Sequence, residues 1–471
     1  MIVKTLALAL LGLAPGAALA HAFGEPVQLP MPYDMYILGC VLALLLSFAL
    51  LALAGRRNAK ASPVLALSLP IQANEWRRIQ HVGAVLLLLA LVFCVVAGLL
   101  GSRDSQRNIN MTFFWIWFAL GGAYLSMLIG PWYKHQHPWA CLPLGHARVK
   151  YPAWLGHWPA LLQFVGLVAI ELFVHSNPRT LAVLIAAWLL FNGLGIWAFG
   201  ATRWLQRGEP FAVLFRLFAD CSPIRLHRPS HGRIRIRLTW PFARFHNTRI
   251  VHPAHVLFVF FLLASTAYDG LRETKVYFNV FWQDPLGLLT SWFGQHPMKI
   301  YPTVRPVFIA WEVFLLMVLP LVYLGLFAGF LALGRWVSRG KQSLWALVCV
   351  HTPSLVPIAV VYHLTHYYTL LFSQGLKIRG MVSDPFGWGW NIFGNAITGR
   401  LPWLPDMANI WASQVVLILL GHVAAVWLAH RHALRLERSP VHALLNQLPM
   451  LVLMVIFTSV GLWVLAQPLQ G

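Results

Sequence analysis

Charge is scarce in this chain of 471 residues: only 10% of its side chains are Asp, Glu, Lys or Arg, and just 14 of them are acidic. A soluble domain carries roughly 25% charged residues. With 59% hydrophobic residues and a mean hydropathy of +0.66, the composition excludes a soluble enzyme. Cysteine is also rare, at 5 residues, and no CxxC or CxxCH spacing is present for zinc or covalently attached haem. Cys40, Cys94 and Cys349 fall within apolar runs and Cys141 and Cys221 in basic loops, so no disulfide framework is expected. The chain has no GxGxxG, Walker loop or serine-nucleophile elbow and no internal repeat, which argues against dinucleotide and ATP-driven chemistry.

What remains is apolar and segmented. Lys4, the run Leu6 to Leu13 and the small residues Ala18-Leu19-Ala20 read as a signal peptide over 1–20, leaving His21 as the mature N-terminus. After it come ten runs long enough to cross a hydrocarbon core of about 30 Å. Their limits are 35–54, 82–100, 111–130, 158–176, 181–200, 252–269, 307–333, 344–368, 409–429 and 449–467. The expectation is an all-α polytopic membrane helix bundle, a single domain over 21–471, with both termini outside the cytoplasm.

Charge supplies a check. Most of the 35 Lys and Arg residues fall in the segments this topology places inside, above all the Arg-rich loop 201–251, whereas only Glu75, Glu209, Asp220 and Glu437 among the acids do. That asymmetry is the positive-inside pattern of a multi-pass membrane protein. It accounts for the formal +21 without nucleic acid, leaving the lipid bilayer as the expected partner and anionic headgroups as a contact for the Arg-rich loop. Histidines on the inner side, His137, His157, His255, His430 and His432 among them, read as solvated or headgroup-facing.

Ionisable residues inside spans are costly and point to function. Here they gather toward the outer ends: Glu171 and His175 four apart, Asp269 and Glu273 at the end of the sixth span, Glu312 about two turns into the seventh, and His363 and His366 three apart near the end of the eighth. Imidazoles mixed with carboxylates suit a divalent transition metal, zinc, cobalt, manganese or copper, rather than calcium or magnesium. His363, His366, Asp269 and His21 are the candidate ligands, with Asp269 and Glu273 as catalytic acid–base groups and Glu171, His175 and Glu312 in support. An aspartate at a helix C-terminus opposes the dipole and requires a partner, which Arg272 or a metal would provide. Pro353 and Pro357 should kink the eighth span and turn its outer half inward. The outer loops 270–306 and 369–408, rich in Trp, Phe and Gly, read as aromatic caps.

The stretches His21-Ala22-Phe23-Gly24, Leu29-Pro30-Met31-Pro32, Arg107-Asn108-Ile109-Asn110, Thr266 to Gly270 and His363 to Tyr368 together resemble bacterial multi-pass proteins of the fenitrothion hydrolase family. Met111 departs from that pattern, which leads one to expect proline after Asn110. The resemblance implies a membrane-bound organophosphorus hydrolase that cleaves an apolar triester and releases a nitrophenol. Two other classes stay open: a copper-binding or redox protein using the α-amino group and imidazole of His21 as a brace, and a transporter. The sequence leaves a partner subunit undecided.

Overall fold

In hydrocarbon each amide needs a partner within its own segment, so long apolar runs coil into helices. The computed structural model describes residues 33–54, 65–144, 146–174, 177–227, 233–396, 405–436 and 439–466. The expected signal peptide and His21, like His175, lie outside them. The principal helices are α1 (Tyr33–Ala54), α2 (Ala73–Leu100), α3 (Ile109–Ile129), α4 (Trp158–Phe173), α5 (Pro178–Phe199), α6 (Pro210–Cys221), α7 (Pro253–Arg272), α8 (Tyr301–Ser338), α9 (Leu344–Ser373), α10 (Met407–Leu436) and α11 (Pro440–Ala466). Among the described residues 9 of these are long and apolar enough to span a membrane, and α1, with the shorter apolar stretch Asp34–Leu50, occupies the first expected run. The chain is thus a multi-pass membrane helix bundle. Proline in the first turn starts α5, α6 and α7, where its missing N–H costs no intrahelical bond.

Two helices form the centre. In their apolar windows α9 is 83% buried and α7 72%, against 17% for α8. Helix α9 continues through Pro353 and Pro357. Pro353 deprives the Cys349 carbonyl of its helical donor, and Ile250 N–H takes that place at 3.1 Å. Beside Pro357, Gly421 of α10 lets the two helices close up, since a Cβ there would lie 3.2 Å from the Pro357 carbonyl oxygen.

Segment 201–251 departs from the expectation of a loop. Its helix α6 is only 12 residues long, about 18 Å at 1.5 Å per residue, too short to span. It inserts into the bundle nonetheless, burying Phe211 and Phe215 against Phe114, Phe118 and Trp132 and Phe218 against Tyr124. Glu209 caps it from a fully buried position, accepting from the Phe211 and Ala212 amides and from Trp188 Nε1. Beyond α6 the same segment supplies two strands of a three-stranded antiparallel sheet, so the fold is not helical throughout. The strands are β1 (Leu65–Gln72), β2 (Ile224–His227) and β3 (Arg233–Leu238), ordered β1-β3-β2. Strand β1 runs directly into α2, where Glu75 accepts from the Gln72 amide at 2.9 Å.

At the sheet end of the bundle several histidines expected in solvent are packed instead: His137, His430 and His432 are buried, with His430 Nδ1 3.1 Å from Gln447 and His432 Nε2 3.1 Å from the Phe245 carbonyl. The Arg107-Asn108-Ile109-Asn110 stretch is a latch. Asn108 Nδ2 donates to the Ala97 and Ser102 carbonyls, and Asn110 Nδ2 donates to the Pro178 carbonyl at 2.8 Å, tying α2, α3 and α5 together.

Candidate functional site

Asp269 lies in the last turn of α7, where the helix carbonyls disfavour a negative charge. Its compensation comes from α9. One carboxylate oxygen, Oδ2, receives Tyr367 Oη–H at 2.7 Å and stands 3.1 Å from His366 Nε2. Gly270 makes this approach possible: a Cβ there would sit 3.4 Å from His366 Cε1 and 2.8 Å from Val464 Cγ1. The pair is partly enclosed, with 15% of the Asp269 side chain and 19% of the His366 side chain exposed.

Arg272, one turn from Asp269, pairs elsewhere. Its Nε lies 3.3 Å from Glu312 Oε1, its Nη1 donates to the Leu172 carbonyl at 3.0 Å, and its guanidinium sits 5.5 Å from the Phe173 ring. So the partner of Asp269 is His366, while Arg272 serves the buried Glu312. Tyr268 donates to the Glu312 carbonyl at 3.1 Å, and its hydroxyl lies 2.6 Å from that of Tyr277 in the segment after α7. Burial first, and the Tyr268 hydroxyl second, raise the Tyr277 phenol above its ordinary range, which keeps it protonated and donating. Glu273 is the residue that caps α7 and acts electrostatically on Arg272 and Glu312.

The two histidines of α9 diverge. His363 turns toward α3 and α6, with Nδ1 3.4 Å from Tyr124 Oη and ring centroids 5.9 Å from Tyr124 and 5.4 Å from Phe218. Its backbone carbonyl also accepts from Tyr124 at 3.2 Å. Among the described residues no group of three His, Cys, Asp or Glu side chains is arranged to hold a metal ion. A catalytic zinc site ordinarily has three protein ligands. Of the candidate ligands the structure brings Asp269 and His366 into direct contact and turns His363 away, while His21 lies outside the described residues.

Beside the cluster is a cavity of about 90 Å³, bordered by Glu171, His363 and Tyr367 on its polar side and by Trp115, Phe164 and Leu214 on its apolar side. At roughly 10–15 Å³ of such volume per water, it has room for several. One wall is a ten-residue π-helix, Thr112–Gly121, within α3. Runs of π-helix are rare and concentrate at functional sites.

The aromatic segments take separate positions. Phe281 and Trp282 pack on Tyr301, Phe308 and Trp311 at the start of α8, near Tyr277. Phe386 stacks on Trp388, Trp390 meets both edge-on, and the three cover the α2–α3 joint, where Ser102 N–H donates to the Phe386 carbonyl at 2.6 Å. The second group therefore caps the latch rather than Asp269. No family profile, curated protein or solved structure matches the chain, so the geometry carries the functional argument by itself.

Proposed function

We propose that the chain is a membrane-embedded hydrolase of apolar organophosphorus triesters, with Asp269, His366 and Tyr367 as its centre. The observation that carries this reading is the shared Asp269 oxygen, which orients His366 through Nε2; in the proposal the other ring nitrogen, Nδ1, takes a proton from water. General-base help of this kind contributes typically 10²–10⁴-fold, and a nitrophenolate needs little acid assistance to leave. Tyr367 reaches both the carboxylate and the cavity, while Glu171 and His363 provide the remaining polar lining. The apolar wall suits a substrate that arrives from the bilayer, with its phosphoryl end in the cavity. A divalent transition metal held by Asp269 and His366 would need a third ligand, for which His21 is the remaining candidate, and would supply a more acidic bound water. The charge asymmetry favours a sheet end in the cytoplasm and a cluster facing outward, and the family resemblance implies the bacterial inner membrane.

The test is nitrophenol release from a dimethyl nitrophenyl thiophosphate by protein in lipid nanodiscs. Wild type should turn it over, and His366→Ala and Asp269→Asn should each lose about 10²-fold or more. No release by wild type, with or without added divalent metal, overturns the reading. Paired charges spanning α7, α8 and α9 would also serve coupled transport. Proton-coupled uptake by proteoliposomes, abolished in Asp269→Asn, would favour that alternative.

A further inference from the structure

At the opposite end of the bundle the three-stranded sheet has two unlike faces. Along β3 the alternation of Arg233, Ile234, Arg235, Ile236, Arg237 and Leu238 separates arginine from aliphatic side chains. The register adds a fourth arginine, because Arg225 of β2 stands directly opposite Arg237. Like charges opposite one another across strands are destabilising unless something neutralises them. Nothing in the sheet does: none of the three strands contains Asp or Glu. The nearest candidate in sequence, Asp220, is the only acid between Pro210 and Val251; it pairs with Arg244 at 3.3 Å and acts electrostatically on Arg225, leaving Arg233, Arg235 and Arg237 beyond it. Arg233, Arg235 and Arg237 are exposed, and Arg225 Nε is buried without a hydrogen-bond partner.

The other face is apolar and only partly covered. Ile234 is buried, but Leu65, Leu67 and Leu238 are 49%, 54% and 36% exposed, and Trp240 just past β3 is 70% exposed. Leu65 pairs with Leu238 and Leu67 with Ile236, so these side chains share that face. The sheet also sits where spans emerge: β1 leads straight into α2, and Gly130 at the end of α3 lies so close to β2 that a Cβ would be 3.2 Å from the Ile224 carbonyl oxygen. An exposed aliphatic face with an aromatic rim, backed by exposed arginines that have no ion pair among the described residues, at a span terminus, matches the depth at which acyl chains give way to phosphates.

We propose that this sheet is an interfacial binding surface for anionic phospholipid, with Arg225, Arg233, Arg235 and Arg237 holding headgroup phosphates and the leucine face and Trp240 resting at the acyl boundary. The proposal is independent of the chemistry at Asp269.

Native mass spectrometry of the full-length protein in detergent, titrated with phosphatidylglycerol or phosphatidylcholine, tests it. Wild type should retain phosphatidylglycerol at about tenfold lower lipid concentration than phosphatidylcholine or better, as four arginines at an anionic surface require. The R225Q/R233Q/R235Q/R237Q variant should lose that preference, and R335Q/R339Q/K341Q should keep it. If the glutamine variant does not fold, lysine at the same four positions retains the charge and should retain the preference. Equal binding of both lipids by wild type, or an undiminished preference in the folded glutamine variant, overturns the proposal. Displacement of the lipid by millimolar inorganic phosphate or by a poly-glutamate peptide would overturn it too, by assigning the face to a free anion or an acidic protein.

Discussion

The bond between Tyr367 and Asp269 can be weighed by a double-mutant cycle. Its 2.7 Å O···O separation lies near the short range of hydrogen bonds to an ionised acceptor. Such bonds contribute roughly 1.5–3 kcal/mol net. Tyr367→Phe removes the donor and leaves the carboxylate with His366, whereas Asp269→Asn removes the charge and replaces one acceptor oxygen by an amide group. Because the two side chains are in direct contact, the double variant should cost less than the sum of the singles by about 1–2 kcal/mol. Tyr368 provides the control: its hydroxyl is 2.7 Å from Ser413 Oγ on α10, so Tyr368→Phe should combine with Asp269→Asn additively to within about 0.5 kcal/mol. The measurement is unfolding free energy in mixed lipid–detergent micelles for all six proteins. A coupling for Tyr367 no larger than that for Tyr368 would refute an ionised Asp269 held by α9, and with it the orienting role assigned to that carboxylate.

Three further outcomes follow from the packing. Glu209→Ala should lower stability by about 2–4 kcal/mol, since it removes the cap of α6 and leaves Trp188 Nε1, 3.1 Å from the carboxylate, without its acceptor; unfolding titrations check it. Gly98→Ala places a Cβ 2.4 Å from the Pro178 backbone oxygen and should cost more than about 2 kcal/mol, whereas Gly325→Ala, with nothing within 4 Å, should be neutral or stabilising by up to about 1 kcal/mol. Burial, then the charge of His135, pushes the His137 imidazole down to about 4 in a loop outside the spans. A base depressed on folding binds more protons when unfolded, so its contribution is complete above about pH 6.5 and is lost as pH falls toward 4. The loss is on the order of 3 kcal/mol, and His137→Gln should flatten that part of a stability–pH curve.

The spans were legible because hydrocarbon leaves a chain few choices, and each expected run coincides with a helix. Helix α6 was not, because a window tuned to a full crossing passes over 12 residues, although Phe211, Leu214, Phe215 and Phe218 carry the spacing of a buried face. The alternation of Arg and Ile over 233–237 was in view as charge, while its period of two, the strand signal, was the more informative property. The sequence also brought Asp269, His366, Arg272 and Glu312 to one end. It could not say who pairs with whom, because that depends on which helices are neighbours. His363 and His366 are three residues apart, yet one meets α3 and the other α7. Tyr367 was missed for the same reason: a tyrosine at a span end ordinarily marks the interface, and only the approach of α7 turns this one into a donor to Asp269.

The choice of helices explains why the charges are tolerable. An ionised side chain on a lipid-facing helix must reach water or be surrounded by protein. The cluster lies on α7 and α9, the helices that the bundle surrounds most completely, so protein dipoles and the Tyr367 hydroxyl stand in for solvent. Helix α8 is mostly open to the surroundings, and its single acid, Glu312, faces inward to Arg272 with 5% of its surface exposed. Asp269 and Glu312 are thereby each matched to a base on a neighbouring element.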